Sequence, residues 1–510
     1  MIDSIAQEES HMKDEFGKGE EVPAHIEQIE RAVEGFFEKL LNETYLTRAG
    51  IKEKAEFSSI YQEYGRLFST DTINEIQSAR MPKKRKRFLI AFAVTHYLET
   101  QVKEISGEIV SSILASNIKW KDARIPYRSI PGMIANEDDI QTRHTLFDLF
   151  MTETERMNPL RIEKLKILNK HARMLGYENC ADLFDELRML RLSYLESMTA
   201  PFMERSRDVY LTLLKHQFEK KGIAISEAWT CDTQRIDQLP EFDVHFDKEH
   251  LLPHLESTLQ DLGVSLSEQS NITIDMEPRP LKSPRPFVVP LKIPDDITIV
   301  ISPVGGFSSY RYLFHESGHA QHYAHIDTGM PFTYRLLGDG SVEEGFAFLF
   351  ENLLFNRHWL MKHFDGLDVR PFLAFAGGLR LSFLRTFATK VQYEKLLLSC
   401  NDMPEAKGFY SDLFTRNIGV RYDCRDYLAG VDSAFKCGIY LRGWIFEGHL
   451  SEYLEKKFGE DWFARSDAGE FLKGLWKKGM RFTAEEIVRG LGYDDLNIEI
   501  LENKIYRMLD

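Results

Sequence analysis

The stretch Tyr312-Leu-Phe-His-Glu-Ser-Gly-His-Ala-Gln-His-Tyr323 sets His315, Glu316 and His319 in the order His-Glu-x-x-His. On a helix, residues four apart sit one turn apart on one face, so both imidazoles address a single ion with Glu316 beside them. A helix holds a catalytic zinc and a general base for peptide hydrolysis in this way. The segment also reads as a buried helix. Ser308 and Ser309 are placed to cap it after the Gly305-Gly306 loop, and Leu313, Phe314, Ala320 and Ala324 offer apolar contacts. Gly318 weakens the helix but leaves room beside His319 for another backbone or a ligand.

A catalytic zinc takes three protein ligands and leaves a fourth position for water, so a third ligand is expected from a second helix packed on the first. The next acidic cluster is Ser341-Val-Glu-Glu-Gly-Phe-Ala-Phe-Leu-Phe-Glu-Asn352. Asp339 and Ser341 mark a helix start, and Val342, Phe346, Leu349, Phe350 and Leu353 form an apolar face at helical spacing. Glu344 is the expected ligand. Glu343, about 100° around the same helix, is its rival. His322 lies about 10 Å along the helix axis from His315, too far to share its ion. For His322 and His325 we expect a role behind the ligands, at the substrate or at the surface. Glu351, two turns from Glu344, is expected to support a ligand or the helix packing rather than bind the ion.

The surrounding chain reads as a large helical protein. Its 510 residues are 43% hydrophobic and 12% aromatic, enough for an extensive core and two to four domain-sized units. Apolar residues keep helical spacing through 26–41, 88–114 and 146–195. Pro126, Pro131 and Glu137-Asp-Asp139 punctuate a connection, and Lys221-Gly222 marks another break. Between about 270 and 302 the pattern changes to short β-branched runs, Asn271-Ile-Thr-Ile-Asp275, Phe287-Val-Val-Pro-Leu291 and Ile297-Thr-Ile-Val-Ile-Ser302. A small sheet is expected there. Its strand 297–302, beside the metal helix, is either a structural edge strand or one able to pair an extended peptide through main-chain hydrogen bonds, with Gly305 and Gly306 allowing close approach.

A net charge of −15 argues against general nucleic-acid affinity. No run of about 20 apolar residues suggests a membrane span. Residues 1–10 are polar and acidic, unlike an export signal. Cys180, Cys231, Cys400, Cys424 and Cys437 show no close metal spacing and cannot all pair, which suits a reducing cytoplasm. The run Lys83-Lys-Arg-Lys-Arg87 reads as a solvated helix start, and the sequons at Asn42 and Asn271 as chance matches.

Glu344 follows His319 by 25 residues, and the order His-Glu-x-Gly-His, loop, Glu-x6-Glu-Asn resembles the thimet oligopeptidase and oligoendopeptidase F family of zinc peptidases. Asp275-Met-Glu-Pro-Arg279-Pro-Leu-Lys282 ahead of Phe287, Arg385-Thr-Phe-Ala-Thr-Lys-Val-Gln-Tyr-Glu394 and Gly438-Ile-Tyr440-Leu-Arg-Gly443 resemble further segments of that family, as do Phe482-Thr-Ala-Glu-Glu486 and Leu491-Gly-Tyr-Asp494 near the end. The likeness runs from about residue 165 onward. It implies a mainly α fold, with two helical lobes flanking a deep substrate channel and a small antiparallel sheet next to the metal helix. It divides the chain into an N-terminal helical region, 1–160, forming part of the channel wall or lid, and a catalytic region, 161–510, with the sheet at 270–302 and the zinc site at 315–344.

The resemblance also implies one Zn2+ per chain on His315, His319 and Glu344, with Glu316 as general base and Tyr440 over the metal. Short unfolded peptides would be cut at internal bonds. The family's histidine ahead of that tyrosine has no counterpart, since none occurs between Arg425 and Tyr440. Tyr427 stands nearest its place. The carboxypeptidase Taq group is an alternative, suited by Pro286-Phe287 and Glu351-Asn352 but not by Glu343-Glu344-Gly345-Phe346. That activity needs a cation for the terminal carboxylate, for which Arg421, Arg425 and Arg442 are candidates. A catalytically inactive peptide-binding relative is the remaining reading. Oligomeric state is left open.

Overall fold

The apolar repeats at 26–41, 88–114 and 146–195 fold as helices, and helices dominate the chain. A computed structural model describes residues 22–236, 240–400, 405–432 and 434–509. The acidic N-terminal stretch at 1–10 lies outside these residues. The chain forms two compact units, each assembled from separate segments. The first takes residues up to Tyr97, Pro240–Leu373 and Arg442–Met508, and the second takes Leu98–Leu239 and Ala374–Leu441. No helix among the described residues is long and apolar enough to cross a membrane.

In the first unit, helix α1 (Ala24–Arg48) opens the described chain. The basic run starts a helix at Lys83, as its composition suggests, but two of its cations are engaged: Lys84 pairs with Glu486 at 2.6 Å and Arg85 pairs with Glu30. In the second unit a hairpin, β1 (Asn117–Trp120) and β2 (Ala123–Pro126), leads into the connection marked by the prolines. Trp120, Ile118 and Ile125 join a core with Tyr127, Ile130 and Leu146. Strands of four residues are too short to show a period against the prolines around them.

The sheet expected at 270–302 belongs to the first unit and consists of β3 (Ile272–Asp275), β4 (Phe287–Lys292) and β5 (Asp296–Val300), in the order β3-β5-β4. It is mixed rather than antiparallel, because β3 runs parallel to β5 and only β4 is antiparallel to it. β5, the candidate peptide-pairing strand, is the central strand and has both edges already bonded. The most continuous apolar run goes to the middle because it is buried from both sides, with Ile297, Ile299 and Val300 all enclosed.

Helix α1 covers one flank of this sheet, where Phe287, Val289 and Val300 pack with Ala49, Leu41 and Tyr45. Asp275 ties the two together. It pairs with Arg279 at 2.9 Å and Lys282 at 3.1 Å and accepts from the Tyr45 hydroxyl at 3.2 Å, while Arg279 also donates to the Ala49 carbonyl.

Helix α2 (Phe307–Ala324) packs against β4 and β5 and, most extensively, against α3 (Gly340–Glu351). The serines expected to cap α2 do not do so. Gly306 is the N-cap, and Asp243 accepts from the Phe307 N–H at 2.8 Å, a partner remote in sequence. α3 is capped as expected, by Asp339 accepting from the Ser341 N–H.

Arg442, on helix α4 (Lys436–Phe458), anchors the start of α3. Its fully buried guanidinium reaches Asp339 at 2.8 Å, Glu485 at 2.7 Å and the Ser341 hydroxyl at 2.7 Å. One cation thus joins the α3 cap to the 484–490 helix. Removing one member of such a buried network leaves the others charged and unpaired, which costs about 3–5 kcal/mol. We therefore expect Arg442→Met to destabilise the protein by that amount, read as a lower urea midpoint at an unchanged slope.

Candidate metal centre

Four residues at four-residue spacing form a stripe down α2: Arg311, His315, His319 and Tyr323. The stripe faces α3, and Gly318 sets the spacing. A Cβ there would lie 2.6 Å from both the Ala347 Cα and the Phe346 carbonyl oxygen, so only glycine permits this approach. The expected room beside His319 is filled by the backbone of α3.

The two imidazoles turn their Nε2 atoms toward each other, 3.2 Å apart. The Glu344 Oε2 stands 3.5 Å from the His315 Nε2 and 3.9 Å from that of His319. Ligand atoms of these three residues all lie within 4.8 Å of one another. The Glu344 Oε2 is buried and has no hydrogen-bond partner among the described residues. A buried carboxylate oxygen without a donor is costly, and one aimed at two imidazole nitrogens fits a divalent cation. Two nitrogens and one oxygen are also the donor set that zinc takes at open sites.

Behind this trio each histidine meets its own carboxylate. The His315 Nδ1 is 3.0 Å from Glu351, which pairs with Arg311 at 2.7 Å. Burial alone would raise the Glu351 pKa, but Arg311 and His315 outweigh it and hold the carboxyl at about 2. Burial would likewise lower the His315 pKa, while Glu344 and Glu351 bring it to about 10. The Glu343 Oε1 lies 3.5 Å from the His319 Nδ1 and accepts from the Tyr323 hydroxyl. Burial and the neighbouring Glu344 push the Glu343 carboxyl up to about 7. The rival carboxylates therefore separate by position, with Glu344 on the Nε2 side and Glu343 behind His319. Arg311 and Tyr323 escaped the sequence reading, although each is one turn from a histidine and that spacing could have identified them.

Glu316 also reaches the sheet, where its Oε2 accepts from the Val288 N–H of β4 at 2.8 Å. Burial raises its carboxyl to about 7 against the opposing pull of His315 and that N–H. His322 does not reach the surface. It is fully enclosed between Tyr323 and Phe346, with ring centroids 5.7 and 4.9 Å away, and burial drives its pKa down to about 3. His325 is half-buried, bonded to the Gln321 carbonyl at 2.8 Å and packed on Trp476.

The first unit brings together His315, Glu316, His319 and Glu344. Tyr440 and Tyr427 belong to the second unit. Tyr440 is partly exposed with its ring 6.0 Å from that of Phe387, and Tyr427 is buried with its carbonyl accepting from the Tyr393 hydroxyl. Of the arginines considered for a substrate carboxylate, Arg442 is enclosed by Asp339 and Glu485, and Arg425 pairs with Asp423 and Asp148. Arg421 donates to the Ser226 carbonyl and lies over Trp229.

Glu344→Gln should abolish stoichiometric zinc binding in a chelator competition. Glu351→Gln should weaken it about 10–100-fold through loss of orientation of His315. If Glu343→Gln removes the metal and Glu344→Gln does not, the ligand assignment is wrong. No protein-family model and no curated protein matches this chain, so the reading of the site rests on its own residues.

Proposed function

We propose that the protein is a zinc-dependent peptidase that hydrolyses internal bonds of short unfolded peptides. The observation that carries this reading is the unpartnered Glu344 oxygen facing two imidazole nitrogens, with the Glu316 carboxylate alongside. The resemblance of the surrounding motifs to the oligoendopeptidase F family supports it. His315, His319 and Glu344 would hold the ion. Zinc bound there supplies a Lewis acid for the scissile carbonyl and makes water acidic enough to lose a proton near neutrality.

Glu316 takes that proton. A buried carboxyl with a pKa near the working pH matches the task, because it accepts a proton readily and releases it to the departing amine. The Val288 N–H holds one of its oxygens and leaves the other to act. Glu351, kept ionised by Arg311, fixes the His315 ring with its proton on Nδ1, so that Nε2 faces the ion. Tyr440 is proposed to donate to the oxyanion and Tyr427 to stand in for the missing histidine, both on the strength of the resemblance. A carboxypeptidase remains the second reading, but Arg442 and Arg425, two of its three candidate anchors, are already paired with carboxylates.

Mass spectrometry of mixed peptides of roughly 6–20 residues, with Glu316→Gln as the blank, tests the proposal. Internal cuts absent from the blank are expected. Stepwise loss of C-terminal residues would favour the carboxypeptidase, and identical digests would defeat both. In the pH profile, kcat/KM should rise as Glu316 loses its proton. The cation beside it favours the carboxylate, so the rising limb should centre below the value of about 7 that burial sets for Glu316. A limb centred well above neutrality would count against Glu316 as the base.

A further inference from the structure

Glu316 meets the sheet at Val288, and two cationic side chains flank that contact. The Arg48 guanidinium, at the end of α1, lies over the Phe287 ring with its Cζ 4.0 Å from the centroid. Phe287 immediately precedes the residue that Glu316 grips. The Arg285 guanidinium lies 5.9 Å over the Tyr312 ring, and Tyr312 sits one turn before Glu316 on α2. Ser283 couples the two segments: its N–H donates to the Arg48 carbonyl at 2.7 Å and its hydroxyl to the Arg285 carbonyl at 2.9 Å. Both arginines are exposed.

Their place beside the candidate base, rather than the lack of a carboxylate, sets them apart. With 79 acidic against 64 basic residues, carboxylates are in excess. In the same unit the partly or fully buried Arg85, Arg279, Arg311, Arg335 and Arg442 are each paired with one, whereas among the described residues exposed arginines such as Arg31 and Arg357 are not, and neither Arg48 nor Arg285 is. A cation at a helix C-terminus favours the helix dipole, which accounts for Arg48 alone. It does not account for Arg285, or for two uncompensated guanidinium groups around one carboxylate of the candidate site. Stacking on an aromatic face holds a guanidinium in place while its edge stays free to donate two parallel hydrogen bonds to a carboxylate.

We propose that Arg48 and Arg285 form a carboxylate-recognition site that binds an acidic group of the peptide beside Glu316. The ligand group is either the C-terminal carboxylate or an acidic side chain. This inference rests on the peptidase reading of the site, and it makes the pair a determinant of which peptides bind and in what register.

The test measures binding of one labelled peptide in four forms, with a free or amidated C-terminus and with an internal Glu or Gln, to the Glu316→Gln protein with and without Arg48→Gln and Arg285→Gln. Each arginine substitution should weaken binding of a carboxylate-bearing form about tenfold, the scale of a charge-assisted contact, and leave the amidated Gln form unchanged. Dependence on the free terminus identifies the C-terminal carboxylate, and dependence on Glu identifies the side chain. Arginine variants that weaken all four forms equally, or none, would overturn the inference. Digestion of the same peptides by wild-type protein separates the two readings. Cuts without any arginine-dependent preference defeat the recognition site alone. Carboxylate-dependent binding without cuts defeats the hydrolase reading alone. If no form binds or is cut, both fall.

Discussion

The approach of α2 to α3 at Gly318, where even a methyl group would lie 2.6 Å from the Ala347 Cα, sets how far apart two helices hold the three candidate ligands. A zinc site tolerates only a few tenths of an ångström in its bonds, so the separation of the helix axes must be settled by close packing. Here backbone rests on backbone. On the opposite side of α3 the packing is equally tight, since a Cβ on Gly345 would collide with the Phe446 ring. α3 is thus wedged between α2 and α4, and the Asp339–Arg442–Glu485 network holds its N-terminus in register. The position of Glu344 follows from contacts that do not involve its own side chain.

Within this frame, four glutamates close in sequence or space have different chemical characters because their neighbours differ. Glu351 faces a guanidinium and a histidine and stays ionised. Glu343 faces another carboxylate and a phenol in a buried pocket and is drawn toward its neutral form. Glu316 is buried against a strand edge and poised near neutrality. Glu344 is left with an oxygen that no donor among the described residues reaches. Separate pKa values and separate contacts for like groups are how one protein assigns acid, base, support and ligand roles.

The sheet contributes through an outer strand rather than its centre. β5 is saturated by β3 and β4, so polar contact with the helix layer falls to β4, whose Val288 N–H meets Glu316. That edge is also where α1 delivers Arg48 and where the approach to β4 delivers Arg285. A segment more than 200 residues upstream of the metal helix therefore takes part in shaping the surroundings of the candidate base.

Much of this was legible in the chain itself. Helical periodicity, the strand-like runs at 271–302, the His-Glu-x-x-His spacing and the Asp339 cap are local patterns, and local patterns survive without knowledge of the fold. The hairpin at 117–126 was too short and too close to prolines to show a period. Strand order escaped because nothing within a β-branched run states which neighbour it will bond. Asp243 as the α2 cap escaped because its partner is remote in sequence. The sequence by itself determined which residues could bind an ion and that two of them share a helix face, since 3.6 residues per turn is a property of the backbone. Tertiary structure alone decided that Glu344 rather than Glu343 faces those nitrogens, that Arg442 is enclosed while Arg48 and Arg285 are exposed, and that β5 lies at the centre of its sheet. Each of these depends on distances between segments, and those are set by packing rather than by the order of residues along the chain.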